Sequence, residues 1–279
     1  MTNPVYALTA CSILERARPE GFPMLFGCSD ESQVREVDYV RSLSQDAEGL
    51  IVCSPRADPH DIFEAAGGTP YVVINGAVAN DEIPCVVLDV EPGLAQAIEH
   101  LRALGHRHLA YVPGPPASWA SKGRTEIVKR LAAAWSIELS IVGPQAATIR
   151  GGLAAAAAVV ATGATAVIAY NDLVAAGVLS GASRLGCACP QDLSVIGIDD
   201  VDFSAILASG LTTVRTDVAK SGVVALELLL DRMDGGAHNG PRVPLPSELI
   251  VRNTTARSPH VADNSHPTPS MTAGGLLPG

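Results

Sequence analysis

The chain has 279 residues, of which 47% are hydrophobic, 17% charged and 4% aromatic. That length suits one or two domains with a full core, so neither general disorder nor a disulfide or metal staple is implied. Nineteen basic against 29 acidic residues leave a formal charge of −10, which makes the chain as a whole a poor binder of duplex DNA, whose affinity comes from phosphate neutralisation.

In chain order, Met1-Thr2-Asn3-Pro4 opens without a basic stretch, an apolar core and a small-residue cleavage site, so no secretory signal is visible. No apolar run is long enough to span a bilayer, and the expected location is the cytoplasm. Six cysteines (Cys11, Cys28, Cys53, Cys85, Cys187, Cys189) form no CxxC pair and read as buried thiols of a reduced compartment. Short apolar runs of strand length recur at Met24–Phe26, Leu50–Val52, Tyr71–Ile74, Val86–Leu88, Leu109–Val112, Ala166–Ala169 and Val195–Ile198. Between them lie stretches with helical spacing: Leu94–Leu101 closed by Gly105, Leu153–Ala161, Leu173–Leu185 closed by Gly186, and Lys220–Met233 closed by Gly235-Gly236. Alternating strands and helices predict α/β architecture with parallel sheets covered on both faces. The stretch 259–279 is rich in Pro, Ser, Thr, His and Gly without period, and reads as a disordered tail.

The residues that end the strands carry the chemistry. Leu50–Val52 ends in Cys53-Ser54, Tyr71–Ile74 in Asn75, and Leu109–Val112 in Pro113-Gly114-Pro115. Ala166–Ala169 ends in Tyr170-Asn171-Asp172, and Val195–Ile198 in Asp199-Asp200. Open parallel sheets bind ligands beyond the carboxyl ends of their strands. Asn171 and Asp199 are therefore read as ligand contacts, and Asp172 as the N-cap of the helix from Leu173. His100, His106 and His108 fit no zinc spacing, and no metal is expected. Asp199 and Asp200 are adjacent and would face opposite ways on a strand, a poor acid/base pair. There is no G-x-G-x-x-G, no P-loop and no G-x-S-x-G elbow, so no catalytic residue and no cofactor is expected and the chain does not read as an enzyme.

One block goes beyond pattern. Residues 166–214 read AVIAYNDLVAAGVLSGASRLGCACPQDLSVIGIDDVDFSAILASGLTTV. The order NDxxAxG, then Pro-x-Asp-x-Ser-Val-Ile-Gly-x-Asp-Asp, then Leu-Thr-Thr-Val resembles the core signature of the lactose-repressor/galactose-repressor (LacI/GalR) family of transcription regulators. HLRALGHRHLAYVPGPPASWASKGR, EGLIVCSP and NPVYALTACSILERA match upstream, so the resemblance runs from about residue 3 to 255.

It implies a periplasmic-binding-protein-like (type I) fold: two doubly wound parallel-sheet lobes joined by three crossovers. The crossovers fall near Leu88-Asp89, Val214-Arg215 and Pro244-Leu245. Lobe one is then 1–88 plus 215–244, and lobe two 89–214 plus 245–258. It also implies an effector site between the lobes. Arg124 matches the loop arginine that grips effector hydroxyls, with surface pairing as its alternative. Asn171, Asp199 and Asn75 match strand-end contacts. Val5 and Tyr6 stand where the family's chain enters the cleft, Tyr6 having a core role as its alternative. Trp119 could stack on a sugar face or pack at the hinge, and Phe203 is a further candidate. On this reading Arg124→Ala and Asp199→Ala each weaken effector binding by about 1–3 kcal/mol with little loss of fold.

The chain departs from the family pattern in four places. The family's N-terminal helix-turn-helix and hinge helix are missing, and so is the first sensor strand. Met24–Phe26 would then lack a neighbour, at about 1–3 kcal/mol for each unpaired buried backbone group, and the true chain would start further upstream. Ile127 stands where Gly is usual, and Gly210 where Pro is usual. The implied function is the sensing and dimerisation core of a sugar-responsive regulator. It would act as a homodimer with a small-molecule effector, and reach DNA only through the missing head. The alternative is a solute-binding protein of a sugar transporter, which would require export.

Overall fold

The computed structural model describes residues 3–236 and 240–259. The first lobe begins with α1 (Pro4–Ala17), α2 (Gln33–Leu43), β1 (Leu50–Cys53), α3 (Pro59–Ala66), β2 (Tyr71–Ile74) and β3 (Cys85–Asp89). The chain then crosses into the second lobe, with α4 (Glu91–Ala103), β4 (His108–Val112), α5 (Trp119–Ala134), β5 (Glu138–Ile141), α6 (Ile149–Ala161), β6 (Ala166–Ala169), α7 (Asp172–Arg184), β7 (Ser194–Asp199) and β8 (Thr212–Arg215). It returns to the first through α8 (Val218–Met233) and β9 (Arg242–Pro246), and crosses once more to β10 (Glu248–Ile250). No helix among the described residues is long and apolar enough to cross a membrane.

The first sheet has the order β1-β2-β3-β9 and is parallel throughout. The second runs β10-β8-β7-β6-β4-β5, parallel except for β10, which pairs antiparallel with β8. The continuous apolar strands follow from covering both faces. On β6, Val167 and Ala169 pack with Val159 of α6 and Val174 and Val178 of α7. Ala166 and Ile168 point the other way, to Leu94 and Ile98 of α4 and Val128 of α5. On β2, Val72 and Ile74 meet Ile13 of α1 and Ala225 of α8, while Tyr71 and Val73 meet Val40 of α2 and Ile62 of α3.

Several expectations are corrected. Met24–Phe26 forms no strand, and Leu25 and Phe26 are exposed. Among the described residues no strand pairs with it, so it lacks the ladder hydrogen bonds that make a strand. The last crossover lies at Ser247, because Leu245 and Pro246 still pair with Leu88 and Asp89. The first lies at Val90, and Arg215 still belongs to the second sheet through Asp199 and Glu248. Cys11 and Cys28 are exposed, not buried. Gly210 adopts φ 118°, a conformation closed to proline, which accounts for glycine at that point. The expected tail, 259–279, lies outside the described residues apart from Pro259, and the chain just before it is anchored: Ser258 N–H donates to Leu104 O at 2.9 Å.

His106 and His100 serve this anchoring, and His108 joins β4 to β5. His106 is 1% exposed, its Nδ1 lying 2.7 Å from Thr165 Oγ1 and its Nε2 3.0 Å from Ala256 O. A carbonyl only accepts, so Nε2 carries a proton, and burial lowers the ring's pKa, which favours the neutral form. His100 Nε2 pairs with Thr255 Oγ1 at 3.0 Å, and His108 Nε2 with Ser140 Oγ at 2.8 Å.

Candidate functional site

The carboxyl ends of β1, β2, β6 and β7 open on one cleft between the lobes, of about 490 Å³ including open solvent. Lobe one supplies Val5 and Tyr6 from the first turn of α1, Ser54 after β1, and Asn75 after β2. Lobe two supplies Tyr170 and Asn171 after β6, Asp199 at the end of β7, and Arg124 from α5. Six of the eight residues expected at the site (Arg124, Asn171, Asp199, Asn75, Tyr6 and Val5) line this cleft together. Trp119 and Phe203 are not brought there. Trp119 is the first residue of α5, with the Arg242 guanidinium of β9 5.9 Å from its ring centre. Phe203 lies in a short 3₁₀ turn, Asp202–Ala205.

The strand ends are strained where they meet the cleft. Ser54, Asn75, Asp199 and Asp200 have φ values of 48°, 54°, 117° and 58°. Non-glycine residues held there cost of order 1–3 kcal/mol each, and such strain gathers at binding sites. Ser54, Asn75 and Asp199 line the cleft, and Asp200 does not.

At the centre is a buried ion pair. Arg124 is 5% exposed and Asp199 8%. Arg124 Nη2 donates to Asp199 Oδ1 at 3.3 Å, Nη1 donates to Tyr170 O, and the guanidinium stacks 4.8 Å from the Tyr170 ring centre. Arg124 is thus no surface residue. Burial pushes the Asp199 carboxyl above its ordinary range, and the Arg124 guanidinium opposes that shift. Tyr170 is fixed in turn: its hydroxyl pairs with Ser118 Oγ at 3.2 Å, and its ring fills the space over Gly114, where a Cβ would approach to 2.7 Å. Only glycine admits that approach.

The cap assignment is reversed. Asn171 caps α7, its Oδ1 accepting from Val174 N–H at 2.9 Å. Its Nδ2 has no partner although the residue is 1% exposed, so one amide both caps the helix and faces the cleft with spare donors. Asp172 is a strut beneath the site. It accepts from Ser204 Oγ (2.6 Å), Val201 N–H (3.0 Å) and Thr213 Oγ1 (2.6 Å). Burial and the nearby Asp199 charge push its carboxyl up to about 7 against these three donors. Asp200 turns away from the cleft, between Arg215 at 2.7 Å and Arg252 at 2.6 Å.

Sequence reasoning missed Tyr170 and Arg56. Tyr170 was visible as the residue directly after β6, the position the strand-end rule selects. Arg56 had a weaker signal, two residues past the Cys53-Ser54 strand end. It is 7% exposed and sits behind the cleft wall, Nη1 donating to Ser54 O at 2.6 Å and Nη2 to Glu31 Oε1 at 3.4 Å. Its Nε is buried without a partner. Glu36 fixes its backbone, Oε2 accepting from Arg56 and Ala57 N–H at 2.7 Å each. Burial raises the Tyr6 hydroxyl, and the Arg56 charge draws it back.

Known proteins resemble the chain along nearly its whole length. Residues 98–255 match the model of the periplasmic binding protein-like domain. The transcriptional regulator MalR of Streptomyces coelicolor is 32% identical, over 93% of this chain and 79% of that regulator. The regulator reg1 of Streptomyces lividans is 31% identical with the same coverage. Both are described as HTH-type transcriptional regulators. A crystal structure of a LacI family regulator from Enterococcus faecium with bound ribose superposes with a TM-score of 0.83 at 26% identity, covering 92% of this chain and 96% of that one.

Proposed function

The chain belongs to the LacI family of transcriptional regulators, as its periplasmic-binding-protein-like core, and on that premise we propose that its interlobe cleft senses a small sugar-like effector. The observation that carries this reading is the buried Arg124–Asp199 pair at the floor of a cleft built from both lobes. A guanidinium held in place by Tyr170 presents a planar fork of donors that suits adjacent hydroxyls. A neighbouring carboxylate accepts from the same hydroxyls. Asn75 and Asn171 face the cleft from opposite lobes, so a ligand bonded to both favours the closed arrangement. Ribose in the Enterococcus faecium structure is consistent with an effector of this size.

The ligand's differential affinity for open and closed lobes would be passed on through a homodimer to a DNA-binding head. Site roles fall to Arg124, Asp199, Asn171, Asn75, Tyr6 and Val5, with Tyr170 added. Trp119 contributes at the lobe seam through Arg242 and Phe203 outside the cleft. The protein works in the cytoplasm, as a regulator and not an enzyme.

Thermal unfolding with a panel of pentoses, hexoses, nucleosides and their acidic derivatives tests this. At a hundredfold excess over Kd, an effector adds about 2.7 kcal/mol, or a Tm rise of about 5–10 °C for a chain of this size. A panel in which no compound moves Tm overturns the reading.

A further inference from the structure

Among the described residues that line the cleft, Asp199 is the one acid and is already given to Arg124. Behind the lobe-one wall stands a second buried guanidinium, Arg56, whose carboxylate partner Glu31 is half exposed and 3.4 Å away. The other nearby carboxylate, Glu36, is occupied by two peptide N–H groups. The Arg56 charge acts on both Tyr6 and Tyr170, so its field reaches the cleft from the lobe-one side. Two helices also begin there: α1, 14 residues long, with Asn3, Val5 and Tyr6 at the wall, and α7, 13 residues long, with Asn171. Helix N-termini carry partial positive charge, although at α1 the Val5 and Tyr6 N–H groups are already bonded to Asn3. At the second, Asn171 Nδ2 is buried, lines the cleft and lacks an acceptor. Arg56 Nε lacks one as well.

We propose that the cleft selects a sugar-like ligand bearing an acidic group, a carboxylate or a phosphate. The N-termini of α1 and α7 face that group, with Arg124 on one side and Arg56 behind the other. The proposal rests on the sugar-sensing reading and narrows it to acidic ligands. Arg56 is a positioning residue: it holds the Ser54 turn through the Ser54 carbonyl and supplies charge without touching the ligand. A neutral sugar would meet the same hydroxyl contacts but bring no anion to the start of α7 and to the unbonded Asn171 Nδ2.

The test is titration calorimetry on the full chain with matched probes: D-glucose against D-gluconate and D-glucose 6-phosphate, and D-ribose against D-ribonate and D-ribose 5-phosphate. An acidic member is expected to bind about tenfold or more tighter than its neutral parent, the scale of one charge-assisted hydrogen bond. The carboxylate and phosphate arms identify which acid is preferred. In Arg56→Met the ratio of acidic to neutral affinity should fall toward one, while Arg56→Lys should keep most of it, a rescue that a purely structural role would not give. If Arg56→Met fails to fold, the wild-type ratio and the lysine variant decide. Neutral sugars binding as tightly as their acids overturns the proposal and leaves sugar sensing standing. Binding by no probe overturns the proposal too, and the wider panel then judges sugar sensing separately.

Discussion

Removing one partner of the Arg124–Asp199 pair should cost far more stability than the sequence suggests. Both side chains are less than a tenth exposed, at 6% and 8%. In Asp199→Ala the guanidinium keeps Tyr170 O and the Tyr170 ring but loses the carboxylate it pairs with among the described residues. Leaving a buried charge unpaired costs about 3–5 kcal/mol, a large share of a typical 5–15 kcal/mol stability. Arg124→Ala strands the carboxylate instead. Burial already holds the Asp199 pKa high, and removing the opposing guanidinium raises it further. A group whose folded pKa exceeds its unfolded one favours folding most below the unfolded value and loses that benefit as pH rises through the folded one. The Arg124→Ala deficit should therefore be smaller near pH 5 than near pH 8. In the double variant Arg124→Ala/Asp199→Ala neither charge is stranded, so its loss should fall short of the summed single losses by about 2 kcal/mol. Urea unfolding followed by circular dichroism at both pH values gives all four corners of the cycle. Single losses that add to within about 0.5 kcal/mol, with no pH dependence, would refute a buried and coupled pair. The expectation of little loss of fold is set aside, because it counted the contacts of each side chain to the effector and not the buried pair the two form with each other.

Asp172→Ala should lose about 3 kcal/mol or more, since the Ser204 and Thr213 hydroxyls and the Val201 N–H are left unbonded. Asp172→Asn can keep two of these bonds and turn the third around. It should also flatten the fall in stability between about pH 4 and pH 7 that the raised wild-type pKa of about 7 produces, which a stability–pH series would show. Burial lowers the His106 pKa, so its contribution is full above the ordinary histidine value and lost as pH falls through the folded one. Acid should therefore release residues 254–258 first, read as faster amide exchange there, and unchanged protection of that stretch down to pH 5 would count against this. Asn75→Gly removes a left-handed strain, and should raise stability by about 0.5–1 kcal/mol while weakening effector binding. A variant that gains in both, or loses in both, would show that the turn is not there for the ligand.

The sequence alone determined the alternation of strand and helix. Runs such as Val195–Ile198 can be buried only between two helical layers, and amphipathic stretches such as Lys220–Met233 supply those layers. It determined where the polar site falls, because strand-end side chains project beyond a parallel sheet whatever the details. The order of the motifs in residues 166–214 determined the family. Tertiary structure decided matters that depend on what stands opposite. Asn171 took the cap because its backbone is extended while Asp172 had three donors from other elements to satisfy. Met24–Phe26 has the composition of a strand, but a strand exists only where a neighbour offers its hydrogen bonds. Trp119 was carried to the lobe seam by the start of α5, though its type suited the cleft. Arg124 and Arg56 look like any surface arginine in one dimension. Their burial, and with it their energetic weight, arises only when Asp199 in one case and Ser54 and Tyr6 in the other close around them, because the cost of a charge is set by the medium the fold builds about it.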